Sequence, residues 1–208
     1  MRAARTLLRR AAPVLAVALA LRPAMAQEAR VDLRRTLDLA RALAAEGRAA
    51  RDPLALLVAA RLRRDLAMAP MRAGGEAEGL DTPAALADAA RGFAATDDRI
   101  ASLADDILAS NEKGRERGPL YDIGRLPAGG REVYAAIRFS GGARAEIYVE
   151  AQRRVAVTVR DASGAPVCAD DAGGPVAYCW WRQESEAALT VEIVNRSAEP
   201  MSYRLVTN

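Results

Sequence analysis

The chain has 208 residues, with 30 Lys and Arg against 27 Asp and Glu, two Cys and no His. That length suits one or two small domains. The missing histidine excludes a Ser-His-Asp or Cys-His system and His-based zinc hydrolysis within this chain, and two Cys fall short of the four ligands of a structural zinc site.

Arg2, Arg5, Arg9 and Arg10 precede an apolar run from Ala11 to Leu21, and Ala24-Met25-Ala26 follows as a small-x-small pattern. This order is that of a secretory signal peptide over residues 1–26, cut between Ala26 and Gln27. The run is shorter than the about 20 apolar residues of a membrane span, and Arg22 and Pro23 interrupt it. No membrane insertion is therefore expected after cleavage. The expected location is the periplasm or the extracellular space of a bacterium. Five arginines leave with the signal, which turns a net charge of +3 into −2. A basic face is the electrostatic footprint of a nucleic-acid binder, so nucleic acid is not an expected partner.

Residues 27–112 read as a helical domain. Leu33, Leu37, Ala40 and Ala44, with Leu39 and Leu43, make an apolar stripe at helical spacing from about residue 30 to 46. Asp52-Pro53 is a cap followed by Pro at the first helical position. It opens a second helix whose expected apolar face is Leu54, Leu57, Val58, Leu62 and Leu66. Pro70 and Gly74-Gly75 mark a loop. Thr82-Pro83 repeats the cap signal, and Thr96 or Asp97 caps a fourth helix with the stripe Ile100, Leu103, Ala104, Ile107 and Leu108. Four short amphipathic helices with brief connections predict an antiparallel bundle. Residues 27–72 carry a net +4 and residues 73–112 a net −7. These charges are expected as solvated faces that attract one another.

Residues 113–130 are rich in Gly, Pro and charge and read as a linker or extended lead-in. From 131 to 208 the pattern alternates with period two. Val133, Ala135, Ile137 and Phe139 are expected inward, as are Ala145, Ile147 and Val149, then Val155, Val157 and Val159. Val176 to Trp181, Leu189 to Ile193 and Tyr203 to Val206 follow as strands. Short alternating strands between Gly and Asp turns predict an antiparallel sandwich with one buried face per sheet. The fold class is thus α+β, a helical bundle followed by a β-sandwich.

The stretches VTVRDASGAPVCADD, AYCWW and LTVEIVNRSAEPMSYRLVTN resemble the bacterial pre-peptidase C-terminal domain, over about residues 130–208. The matching features are Asp161, Gly164, Asn195 and the closing Tyr203-Arg204-Leu205. The resemblance implies a small jelly-roll-like β-sandwich of the kind appended to secreted peptidases. Many members carry further Asp in the strand before the turn, where this chain has Val155 to Arg160, and here no peptidase domain precedes the sandwich.

Cys168 and Cys179, in an exported chain, are expected as one disulfide. Asp161, Asp170 and Asp171 are weak calcium candidates, read first as turn residues. Trp180 and Trp181 point to opposite faces of one strand. One is expected in the core. The other is expected partly exposed and packed under a loop or an Arg stem, with a sugar or partner contact as the alternative. Ser110 to Lys113 matches Ser-x-x-Lys by chance, since Lys113 is the only Lys and the required Lys-Thr-Gly is missing. Asp97-Asp98 and Asp105-Asp106 lie on helix surfaces where acids are ordinary, and no Gly-rich phosphate loop follows a strand.

The functional expectation is an exported non-catalytic interaction or accessory protein of the cell envelope, with an envelope protein or glycan as partner and no cofactor. An alternative is a carbohydrate-binding module using an exposed Trp. A third reading is a carboxylate-based hydrolase.

Overall fold

The computed structural model describes residues 32–72, 78–94, 97–109 and 118–208, and the expected signal peptide with its Ala26–Gln27 cleavage point lies outside them. The chain from Val31 to Asn208 forms one compact unit. The described residues include four helices: α1 (Leu33–Ala50), α2 (Pro53–Asp65), α3 (Pro83–Ala94) and α4 (Asp98–Ala109).

Local chemistry sets their ends. Asp32 caps α1 through the Arg35 amide at 2.9 Å. Asp52 accepts from the Leu54 and Ala55 amides ahead of α2, and Thr82 accepts from the Ala85 amide ahead of α3. Asp97 accepts from the Arg99 amide at the start of α4. Each cap satisfies amides that the first helical turn leaves without partners.

The buried faces follow the sequence less closely. α1 buries Leu33, Leu37, Ala40 and Ala44 as expected, while Leu39 is exposed. α2 is rotated from its expected face. It buries Leu56, Leu57, Ala59, Ala60 and Arg63, and leaves Leu54 and Val58 exposed. α2 packs against α1, α3 and α4 together, and its alanine side permits close approach. A Cβ on Gly47 of α1 would lie 3.0 Å from the Leu56 side chain. In α4, Ile100, Ala104 and Ile107 are buried, but Leu103 and Leu108 remain exposed. The basic and acidic segments meet through Arg48 and Asp81.

The strands are β1 (Ala69–Pro70), β2 (Leu120–Leu126), β3 (Arg131–Phe139), β4 (Ala143–Ala151), β5 (Val155–Arg160), β6 (Pro166–Asp170), β7 (Val176–Gln183), β8 (Ala187–Asn195) and β9 (Met201–Thr207). They form a five-stranded sheet in the order β1-β2-β9-β4-β7 and a four-stranded sheet in the order β3-β8-β5-β6. All pairs are antiparallel except β1 with β2. The linker expected over 113–130 is redrawn, because β2 lies within it and pairs along its whole length with β9. Pro119 and Pro127 flank this strand and Gly124 lies within it.

Ile147, Val149, Val157, Val159, Val191, Ile193, Tyr203 and Leu205 fill the space between the two sheets. β3 departs from its expected alternation. Tyr134 and Phe139 are buried, whereas Val133 is exposed. A bulge between Tyr134 and Ile137, with Ala136 at φ 59°, shifts the register against β8. One extra residue reverses the facing of everything before it.

The expectation of one buried face per sheet holds only for the four-stranded sheet. β9 is buried at every position and β4 at nearly every one. Leu33 and Leu37 of α1 and Leu66 after α2 cover Tyr148 and Val206 on the outer face of the five-stranded sheet. The helices are therefore a third layer over that sheet. Arg63 of α2 faces the sheet and bonds both Glu150 oxygens at 2.7 and 2.8 Å. Arg204 of β9 also donates to Glu150, at 3.4 Å, and to the Asp81 carbonyl at 3.0 Å.

Candidate functional site

β7 is an edge strand of the five-stranded sheet, and its side chains alternate between core and outer face. Cys179 faces inward and bonds Cys168 of β6, with the Cα atoms 5.8 Å apart. β6 is in turn an edge of the opposite sheet, so the disulfide staples the two sheets along one side. It also fixes the parity of β7: Trp181 falls inward and Trp180 outward. Trp181 is 9% exposed, packs edge-on to Phe139 with centroids 5.0 Å apart, and donates its indole N–H to Gln183 at 2.8 Å. Trp180 is 54% exposed. The sequence shows that the pair must split; the parity that the disulfide sets decides which Trp is outside.

Trp180 lies at the end of the outer face that the helices leave open. The Arg144 guanidinium of β4 sits 4.6 Å from the Trp180 ring centroid and donates to the Tyr178 hydroxyl at 2.7 Å. Arg34 of α1 sits 4.5 Å from the Tyr178 centroid. Arginine and aromatic rings thus alternate across the seam between α1 and the sheet, in contacts typical of cation–π attraction. The bond to Tyr178 is the largest cause that raises the Arg144 pKa, so this guanidinium stays charged. Arg144 also meets Glu146 at 2.6 Å. The second Glu146 oxygen is buried with no hydrogen-bond partner among the described residues. Beside this group is an open pocket of about 480 Å³ lined by Asp32, Arg34, Arg35, Asp38, Leu39 and Arg144.

The calcium candidates do not come together. Asp161 closes its own turn, accepting from Ser163 and from the Ala165 amide. The Ser163 bond is the leading cause that lowers its pKa. Asp170 accepts from the Ala172 and Tyr178 amides, and Asp171 pairs with Arg196 at 2.8 Å. Among the described residues, no three or more carboxylates, cysteines or histidines cluster as metal ligands would. Of the helix acids, Asp97 is a cap and Asp105 pairs with Arg91. Ser110 to Lys113 lies outside the described residues.

Sequence reasoning missed one polar cluster, where β2, β3 and β9 meet. Tyr134 donates to Asp122 at 2.6 Å, and its oxygen lies 2.6 Å from that of Tyr203. Tyr203 reaches Glu132 at 2.6 Å. Arg72, which follows β1, donates to Asp122, to Glu132 at 2.8 Å and to Tyr134 at 2.9 Å. Burial is the first cause that pushes both phenols well above their usual range, so both remain protonated. Gly124 makes room, since a Cβ there would lie 2.6 Å from a Tyr203 ring carbon. Asp122 and Glu132 come from different strands with no shared motif, so only the pairing of β2 with β9 and of β3 with β8 could have revealed them. Chemically the cluster is closed on itself: Arg72 already occupies both carboxylates.

No protein-family model matches the chain, and neither does any curated protein. Among solved structures it is similar to the pre-peptidase C-terminal domain of a collagenase from Bacillus anthracis, at 13% identity and a TM-score of 0.36, over 42% of this chain and 87% of that one. That is the kind of domain that residues 130–208 resemble. It is also similar to a periplasmic inhibitor of g-type lysozyme from Aeromonas hydrophila, at 12% identity and a TM-score of 0.32, over 47% of this chain and 93% of that one. A mitogen from Yersinia pseudotuberculosis matches at 13% identity and a TM-score of 0.32, over 44% of this chain and 85% of that one. Likenesses of this strength leave function to be argued from the site. Among the described residues, no helix is long and apolar enough to cross a membrane.

Proposed function

We propose that this protein is an exported, non-catalytic interaction or accessory module of the cell envelope, which holds its partner at the Trp180 end of the five-stranded sheet. The observation that carries this reading is the exposed Trp180, held by Arg144 beside an open pocket. Large aromatic and Arg side chains are the residues that most often anchor partners. The support beneath them is rigid, since Cys179 precedes Trp180 and the disulfide ties its strand to the opposite sheet. That disulfide and the N-terminal Arg-then-apolar pattern both support export. The buried acid Asp122 and its neighbour Glu132 are taken up by Arg72 and two phenols, which favours a binding role over hydrolysis.

The test compares the tagged chain from Gln27 onward with its Trp180→Ala variant in pull-downs from envelope extract. The wild type is expected to retain a saturable component that the variant loses. Equal recovery by both proteins, or none by either, would overturn the proposal.

A further inference from the structure

The outer face around Trp180 carries more arginine than its stability calls for. Arg144 and Arg182 are directly opposite each other in the β4–β7 register, and like charges so placed on one face are destabilising. Arg182 is exposed, and neither it nor Arg35 has a side-chain partner among the described residues. At the next same-face position along the two strands, Trp180 faces Glu146. Glu146 is 8% exposed and keeps one buried oxygen without a donor. Buried polar atoms of that kind are rare and costly. The face therefore combines surplus cationic donors, a planar apolar ring and an acceptor in want of a hydroxyl.

These three features have one ligand chemistry in common. We infer that the Trp180 face binds a uronic-acid polysaccharide, a sugar chain whose residues carry carboxylates. This deepens the proposed binding role and rests on it. The carboxylate takes the forked donors of Arg182 and Arg144, a geometry that matches arginine. The apolar side of the sugar ring lies on the indole. As the half-exposed Arg144 head turns onto the ligand, a sugar hydroxyl donates to the freed Glu146 carboxylate. The pocket lining favours a saccharide over a protein, because five of its six residues are charged and Leu39 alone is apolar. A protein anchor site is depleted of charge at its centre.

Calorimetric titration of the chain from Gln27 onward uses three probes: oligogalacturonate, its fully methyl-esterified form, and polyglutamate of similar length. Oligogalacturonate is expected to bind with an affinity that falls as salt is raised. The ester, which keeps the sugar and loses the charge, and polyglutamate, which keeps the charge and loses the sugar, are each expected to bind at least about tenfold more weakly. Trp180→Ala and Arg182→Gln are each expected to cost about five- to tenfold in affinity with no loss of melting temperature. No binding of oligogalacturonate, equal binding of the ester or polyglutamate, or indifference to Trp180→Ala would overturn the inference. If oligogalacturonate fails while the Trp180-dependent pull-down survives, the ligand class is wrong and the docking face stands. If both fail, the face itself is wrong.

Discussion

Glu150 is one carboxylate serving two buried arginines, and its removal should be among the most damaging single changes. Arg63 donates two hydrogen bonds to it and Arg204 one. Burial is the first cause that lowers the Arg204 pKa, with the like charge of Arg63 next, and Glu150 is the first charge that opposes them. Glu150→Leu leaves both guanidinium groups in the seam without the carboxylate they bond, and only the charge of Asp81 still faces them. The expected cost is about 3–5 kcal/mol, read as a lower urea midpoint. Pairing it with Arg63→Met should recover part of that loss, because an apolar pair no longer buries an uncompensated charge. A single-variant cost below about 1 kcal/mol would mean that water reaches the pair. None of this was legible in the sequence. Arg63 sits in a run of arginines where nothing separates a buried one from a solvated one, and Glu150 lies 87 positions further along the chain.

At the scale of elements, local signals survived and long-range ones did not. The caps Asp52, Thr82 and Asp97 act through amides two or three residues away, so the sequence displays them directly. The face that α2 buries depends on three other helices, and there the apolar Leu54 and Val58 remained outside. β3 failed at its bulge. Ala136 holds a left-handed conformation at φ 59°, which costs an L-residue about 1–2 kcal/mol. Ala136→Gly is therefore expected to stabilise slightly, by up to about 1 kcal/mol after glycine's extra unfolded-state freedom is counted. Ala136→Val should instead destabilise by more than about 1 kcal/mol, since a β-branched residue is a true outlier there. Thermal melts of the two variants, moving in opposite directions, check the assignment. The disulfide is the other element-scale device. Replacing both Cys168 and Cys179 with Ala should cost about 3 kcal/mol on the chain-entropy model, and the wild type should lose a similar amount on reduction. Identical melting curves with and without reductant would show that the staple adds nothing.

The whole molecule is organised around one sheet covered on both sides, and that is why its phenols are so well shielded. Four of its five tyrosines, Tyr134, Tyr148, Tyr178 and Tyr203, have pKa values raised chiefly by burial. Two of them sit where the sandwich closes over Asp122 and Glu132. The other two lie beneath the helical layer, where Tyr148 donates to Asp38 at 2.9 Å. Each phenol holds its proton more tightly in the folded chain than in the unfolded one. Below about pH 10, the unfolded value, neither state ionises and the full stability is present. Above it the unfolded chain sheds protons that the folded chain keeps. Stability should then fall by up to about 1.4 kcal/mol per pH unit for each phenol, until the folded groups themselves ionise. Urea titrations between pH 8 and pH 12 should show a plateau followed by this decline. Tyr148→Phe should reduce the alkaline slope by the share of one proton. A flat profile to pH 12, or a slope unchanged by that substitution, would mean that the helices do not seal the outer face of the sheet. Trp180 stays exposed because that seal covers Val176 and Tyr178 of β7 and ends before Trp180, so the alkaline slope also measures how firmly the layer beside Trp180 is held.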